Sequence, residues 1–147
     1  MAFSRNQSFI FMLISFLVVI LATTSVESAQ SLLFSSKHVT IINKLVTRAR
    51  LTVHCNNKED DLGTVYLGPG DTFDFTFRVN LRHTTVYTCN FAWPGNTATF
   101  DIFRADRDDN PNSKVGVCSE CIWSIYEPAP CRDRRDGGQP NCFPWAS

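Results

Sequence analysis

The sequence predicts an all-β fold, a small antiparallel β-sandwich of about eight short strands held by disulfides. Three observations predict it. Apolar side chains recur at every second position through most of the chain beyond residue 38, the segments between them are rich in Gly, Pro, Asn and Asp, and all six cysteines follow an export leader. Alternation puts one face of a strand in a core and the other in water, and the intervening residues interrupt helix and strand alike.

The leader comes first. In MAFSRNQSFIFMLISFLVVILATTSVESAQ, Arg5 supplies a positive flank, residues 9–22 are apolar except for Ser15, and small residues follow. These are the three parts of a secretory signal peptide. Cleavage is expected after Ser28, with Ser25 and Ala29 as the alternative positions, removing residues 1–28 and leaving residues 29–147 as a single domain. A retained membrane anchor is the competing reading, but the apolar run is shorter than the ~20 residues of a spanning helix. The only N-glycosylation sequon, at Asn6, lies inside the leader, so no N-linked glycan is expected on the exported chain.

The strands follow in order. The first is expected over residues 38–43 (HVTIIN). In ARLTVHC, Leu51, Val53 and Cys55 alternate with Arg50, Thr52 and His54. NKEDDLG then turns the chain into a strand over residues 64–67. After GPGD, the stretch DTFDFTFRV sets Phe73, Phe75, Phe77 and Val79 against Thr72, Asp74, Thr76 and Arg78. Residues 85–93 and 98–104 flank the turn WPGN. Beyond ADRDDNPNS, strands are expected over residues 114–117 and 121–127, the last of them ended by EPAP, with DRRDGGQPN as a final polar connection.

The six cysteines, Cys55, Cys89, Cys118, Cys121, Cys131 and Cys142, all lie in the exported part, where an even number is read as a disulfide framework. Their spacing leaves the pairing open. Cys118–Cys121 is disfavoured: along one extended strand their Cα atoms would sit about 10 Å apart, beyond the ~7 Å a bridge allows, unless Ser119 and Glu120 form a tight turn. Zinc is disfavoured as well, because no second Cys-x-x-Cys and no His-x-x-x-His accompanies the pair.

Lys and Arg number 14 against 14 Asp and Glu, for zero net charge. That balance argues against general binding of nucleic acid or of a membrane surface. No nucleophile elbow, metalloprotease motif or metal signature is present, so neither catalysis nor a cofactor or metal is expected. The three histidines, His38, His54 and His83, read as half-exposed sheet and loop residues. A ribonuclease would require His38 and His54 to meet across neighbouring strands. Asp106, Asp108, Asn110 and Asn112 alternate like the first half of a calcium loop, but the glycine and closing glutamate are missing. A solvated loop is the better reading there, and such loops between rigid strands are where recognition usually resides. Glu59, Asp60 and Asp61 form a second polar loop, and Arg132, Asp133, Arg134, Arg135 and Asp136 a third of mixed sign. The aromatics are mostly core, with Trp93 and Trp145 the ones expected to show a face to solvent.

Taken in order, LTVHCNNKEDDLG, YLGPGDTFDFTF, TTVYTCNFAW, FDIFRADRDD, CIWSIYEPAPC and NCFPW resemble the plant self-incompatibility S-protein homologue family over about residues 38–145. The resemblance implies a small secreted β-sandwich stabilised by disulfides, with Cys55, Cys89, Cys121, Cys131 and Cys142 at common positions. It implies an extracellular signalling ligand that binds a cell-surface receptor, acts as a monomer and needs no cofactor. The loop after FDIF would carry recognition, through Asp106, Asp108, Asp109 and Asn110. A secreted defence or wall-carbohydrate-binding module is the alternative and a secreted ribonuclease a remote one.

Overall fold

A computed structural model of the chain describes residues 3–33 and 36–146. The chain divides into two units, one ending before Ser36 and one starting there. The first is a single helix, α1 (Phe3–Leu33), which takes in residues 3–28 of the expected leader, the first two residues of which lie outside the described residues. Its apolar side chains from Phe9 to Leu21 are exposed. No helix among the described residues is long and apolar enough to cross a membrane.

The second unit is a sandwich of two sheets. Its strands are β1 (Ser36–Asn43), β2 (Leu51–Asn56), β3 (Asp61–Leu67), β4 (Thr72–Arg78), β5 (Val86–Trp93), β6 (Asn96–Arg104), β7 (Glu120–Ile125), β8 (Pro130–Arg132) and β9 (Asn141–Cys142), with one helical turn, α2 (Ala105–Asp108), after β6. One sheet runs β4-β1-β7-β8-β9 and the other β3-β2-β5-β6. The all-β disulfide-bonded sandwich expected from the alternation is what forms.

Three details differ from expectation. β1 pairs with β7 in parallel, so one sheet is mixed. A parallel neighbour needs a crossover, here the whole chain between the two strands, and side-chain alternation is the same whichever way a strand is paired. Residues 114–117 form no strand, because the carbonyls of Val115 and Gly116 accept hydrogen bonds from the Arg132 guanidinium instead. Pro130 opens β8 rather than closing β7, as a residue without an N–H can at the first position of a strand.

The core follows the predicted alternation. Val39 and Ile41 of β1, Leu51, Val53 and Cys55 of β2, and Trp123 and Ile125 of β7 are fully buried. Burying one such side chain contributes ~1.5–3 kcal/mol. Two inward positions of β1 break the apolar pattern, Lys37 and Asn43. Asn43 is satisfied locally: its amide donates to the carbonyls of Ala49 and Leu67 (both 2.9 Å) and its oxygen accepts the Leu45 N–H.

Strand register defines two ends. Asn56 lies opposite Thr88, Val86 opposite Arg104, and Ser36 opposite Arg78, so residues 57–60, 79–85 and 105–119 connect strands at one end. Residues 133–140 join them there, because β8 runs from Pro130 beside Ile125 towards that end. We call this the polar end. Residues 44–50, 68–71, 94–95 and 126–129 form the opposite, tight-turn end.

Candidate functional site

The connection expected to carry recognition is anchored from below. It opens with α2 and then turns back towards β7. The Asp108 carboxylate is fully buried and accepts hydrogen bonds from Arg132 Nη1 (2.5 Å), Arg107 Nη2 (2.7 Å) and the Arg104 N–H (2.9 Å). The Asp108 carbonyl accepts the Cys118 N–H (2.9 Å). Asp109 is 8% exposed and meets Lys37 Nζ at 2.6 Å, with His83 Nδ1 at 3.3 Å. The surrounding cations and donors offset the cost of burying these carboxylates. Asp108 and Asp109 therefore hold the loop down, which corrects the expectation that they face outward. Asp106 is exposed and paired with Arg104 (2.8 Å), and Asn110 is half-exposed, so these two of the four expected contact residues are presented to solvent.

Three anchoring cations escaped the sequence reading. Arg132, expected in an exposed mixed-sign loop, is 3% exposed on β8. Burial pushes its pKa down, against the opposing pull of Asp108. Arg107 lies over the rings of Phe100, Trp123 and Phe143 at 5.0, 5.1 and 5.0 Å. Lys37 is 1% exposed. The signal for Lys37 was present: it shares the inward parity of Val39 and Ile41 on β1.

Each disulfide closes the base of a polar-end connection. Cys55–Cys89 joins directly opposed residues of β2 and β5, and Cys131–Cys142 does the same for β8 and β9. Cys118 pairs with Cys121, the bridge that spacing had disfavoured. The expectation assumed an extended strand, but β7 begins only at Glu120, and the chain before it is bent enough to bring the two Cα atoms to 5.3 Å. The Cys-x-x-Cys pair is a structural staple ending the long connection.

The other two polar loops meet the same end. Asn57 Oδ1 accepts the N–H groups of Glu59 and Asp60, tightening the β2–β3 turn. Asp61 accepts from the Gly63 N–H (2.8 Å) and sits 2.6 Å from His54 Nε2, and these bonds hold its pKa below the usual carboxylate range. Residues Lys114 to Cys118 face Arg132 to Asp136 across a cleft of about 450 Å³ that carries both signs of charge. Among the described residues no group of three or more His, Cys, Asp or Glu side chains is placed to hold a metal ion.

The histidines do not converge. His38 belongs to the five-stranded sheet and His54 to the four-stranded one, each on the face away from the core, so they point to opposite sides of the sandwich. The ribonuclease reading needed them on neighbouring strands and fails on this topology. His38 Nδ1 contacts Glu120 (2.7 Å) and Nε2 contacts Asp74 (2.9 Å), and these two carboxylates raise its pKa. Trp93 and Trp145 are both half-buried, their ring centroids 5.9 Å apart.

The family model for "Plant self-incompatibility protein S1" matches residues 38–145. The chain belongs to this family. Among its relatives, S-protein homolog 2 of Arabidopsis thaliana is 36% identical over 112 residues, covering 76% of this chain and 69% of the relative. S-protein homolog 29 of the same plant is 32% identical over 142 residues, covering 96% and 98%. A solved structure described as that of "SPH (Self-Incompatibility Protein Homologue) proteins, a widespread family of small, highly stable, secreted proteins from plants" is similar with a TM-score of 0.53. It shares 20% identity and covers 78% of this chain and 97% of that one. The resemblance read from six sequence fragments is thus borne out, and the S1-family sandwich carries its polar loops on a shared scaffold.

Proposed function

We propose that this S1-family protein is exported by its leader and acts outside the cell as a ligand for a surface receptor, engaging it through the polar end. The observation that carries this reading is the contrast within residues 105–119. Asp108 and Asp109 are locked to Arg132, Arg107 and Lys37, while Asp106 and Asn110 remain on the surface. A loop fixed in this way loses little conformational entropy on binding, which is how a rigid scaffold gains affinity. The work is done by binding alone, with no cofactor and no chemical step. The solved relative is described as one of a secreted family, in keeping with export.

The test is saturation binding of the labelled, disulfide-bonded protein to intact plant cells, before and after surface proteolysis. Saturable binding abolished by protease supports a protein receptor. Non-saturable or protease-resistant binding overturns it. A carbohydrate-binding role has one observation in its favour, a groove of about 240 Å³ lined by Arg50, Thr52, Ala92, Trp93 and Pro94 at the tight-turn end. Protease-resistant binding displaced by wall polysaccharide would favour that reading.

A further inference from the structure

The sandwich has four strand edges, and three of them are blunted. β9 is two residues long. β6 receives the Ala146 N–H on the Thr99 carbonyl (3.1 Å). β3 carries Gly63 at φ +74° and a register shift against β2 between His54 and Asn56. β4 has none of these devices. It ends the five-stranded sheet, pairs with β1 in unbroken register, and its sequence TFDFTFR contains no Pro, Gly or Lys. Natural sheets rarely leave such an edge unprotected unless something pairs with it.

The hydrogen-bond phase shows which groups face outward. On β1, the His38 N–H goes to Ser119 on the β7 side, and the Asn43 N–H goes to Asp71 on the β4 side. Odd-numbered residues of β1 therefore bond to β4, through their partners Phe73, Phe75 and Phe77. Thr72, Asp74 and Thr76 consequently turn their N–H and C=O groups away from β1.

We infer that β4 is a docking edge for a second copy of this chain, added antiparallel about a two-fold axis at Thr76. Outward residues must oppose outward residues across the new ladder, so each candidate register sets the charges differently. An axis at Asp74 sets that carboxylate against itself, and one at Phe75 sets it against Thr76. The axis at Thr76 sets Asp74 directly opposite Arg78 of the second copy, twice by symmetry, and Phe75 opposite Phe77. Opposite charges and aromatic pairs at directly opposed positions stabilise a ladder, while like charges there oppose it. Phe73, Phe75 and Phe77 form a row with centroids 5.7 and 5.9 Å apart, yet all three are only half-buried, and the second copy would cover their open side. Asp74 meets His38 through Oδ2, and its second oxygen serves Arg78. This departs from the monomer expected from the sequence, in which β4 read as an ordinary amphipathic strand.

Sedimentation equilibrium of the secreted, disulfide-bonded protein, from micromolar to millimolar concentration, tests the inference. A monomer–dimer equilibrium is expected. Arg78→Asp places like charges opposite each other twice and should raise the dissociation constant by roughly tenfold or more. Thr76→Pro deletes an outward N–H without touching the β1 ladder and should abolish the dimer. If Thr76→Pro fails to fold, the surface substitution Arg78→Asp still decides. A protein monomeric at every concentration overturns the inference, as does a dimer that Arg78→Asp leaves unchanged.

Discussion

The two ends of the sandwich are held by different physics. At the tight-turn end the backbone is satisfied by short hydrogen-bonded turns. Glu127 accepts the N–H groups of Val46 and Thr47 (2.9 and 3.0 Å), the Glu127 carbonyl accepts Trp145 Nε1 (2.9 Å), and Gly70 and Gly95 take the positive φ their turns require. At the polar end the connections are longer, and three disulfides and a buried ionic cluster hold them. The difference teaches that length and fixity are separable: a long surface connection can be rigid when its inward side chains are charged and paired. Such a segment can vary on its outer face without losing its shape.

The comparison is broken hardest by removing the centre of the ionic cluster. Asp108→Ala leaves Arg132 buried without its counter-ion, and denaturant unfolding should show a loss of ~3–5 kcal/mol. The same substitution at exposed Asp106 should cost almost nothing. Next come the staples. Loop-closure entropy ranks them by enclosed length, which is 34 residues for Cys55–Cys89, 11 for Cys131–Cys142 and 3 for Cys118–Cys121. Paired Cys→Ala substitutions should then cost about 4, 3 and 1.5 kcal/mol in that order. A reversal of that order in unfolding experiments would show that native-state contacts, not chain entropy, set the ranking.

The smallest effects are in pH dependence, and they carry opposite signs. Two backbone donors lower the Glu127 pKa from 4.5 to about 2. A depressed carboxylate contributes stability that is present above its unfolded pKa and lost as pH falls through the folded one. Thermal stability should therefore drop between pH 4.5 and about 2, and Glu127→Gln should remove part of that drop. Asp61 and Asp136, also held low, add to the acid loss. His38 is raised above 6.5 by Asp74 and Glu120, so its contribution is present below pH 6.5 and fades as pH rises through the raised value. His38→Gln should flatten the alkaline side of the profile.

Much of the sandwich was legible because alternation is a local property. Leu51, Val53, Cys55 and Trp123 stand where period two puts them, fully buried. What escaped depends on contacts far apart in sequence. Asp108 looks like any loop aspartate until Arg132, 24 residues later, folds beneath it. Arg132 looks exposed beside Asp133 and Arg134 until Pro130 is seen to start a strand. The Cys118–Cys121 bridge is disfavoured only if one extended strand runs through both cysteines, whereas β7 begins between them at Glu120. The parallel pairing of β1 with β7 leaves no trace in the alternation of either strand.

Recognition at the polar end is tested most directly by saturation binding to intact plant cells of two variants with wild-type melting temperatures. One is Asp106→Asn/Asn110→Ala at the polar end, and the other is Arg48→Ala/Arg50→Ala at the tight-turn end. The predicted result is a loss of affinity of roughly tenfold or more for the first and none for the second. Unchanged affinity in the first variant, with a loss confined to the second, would contradict it and move the site to the opposite end of the sandwich.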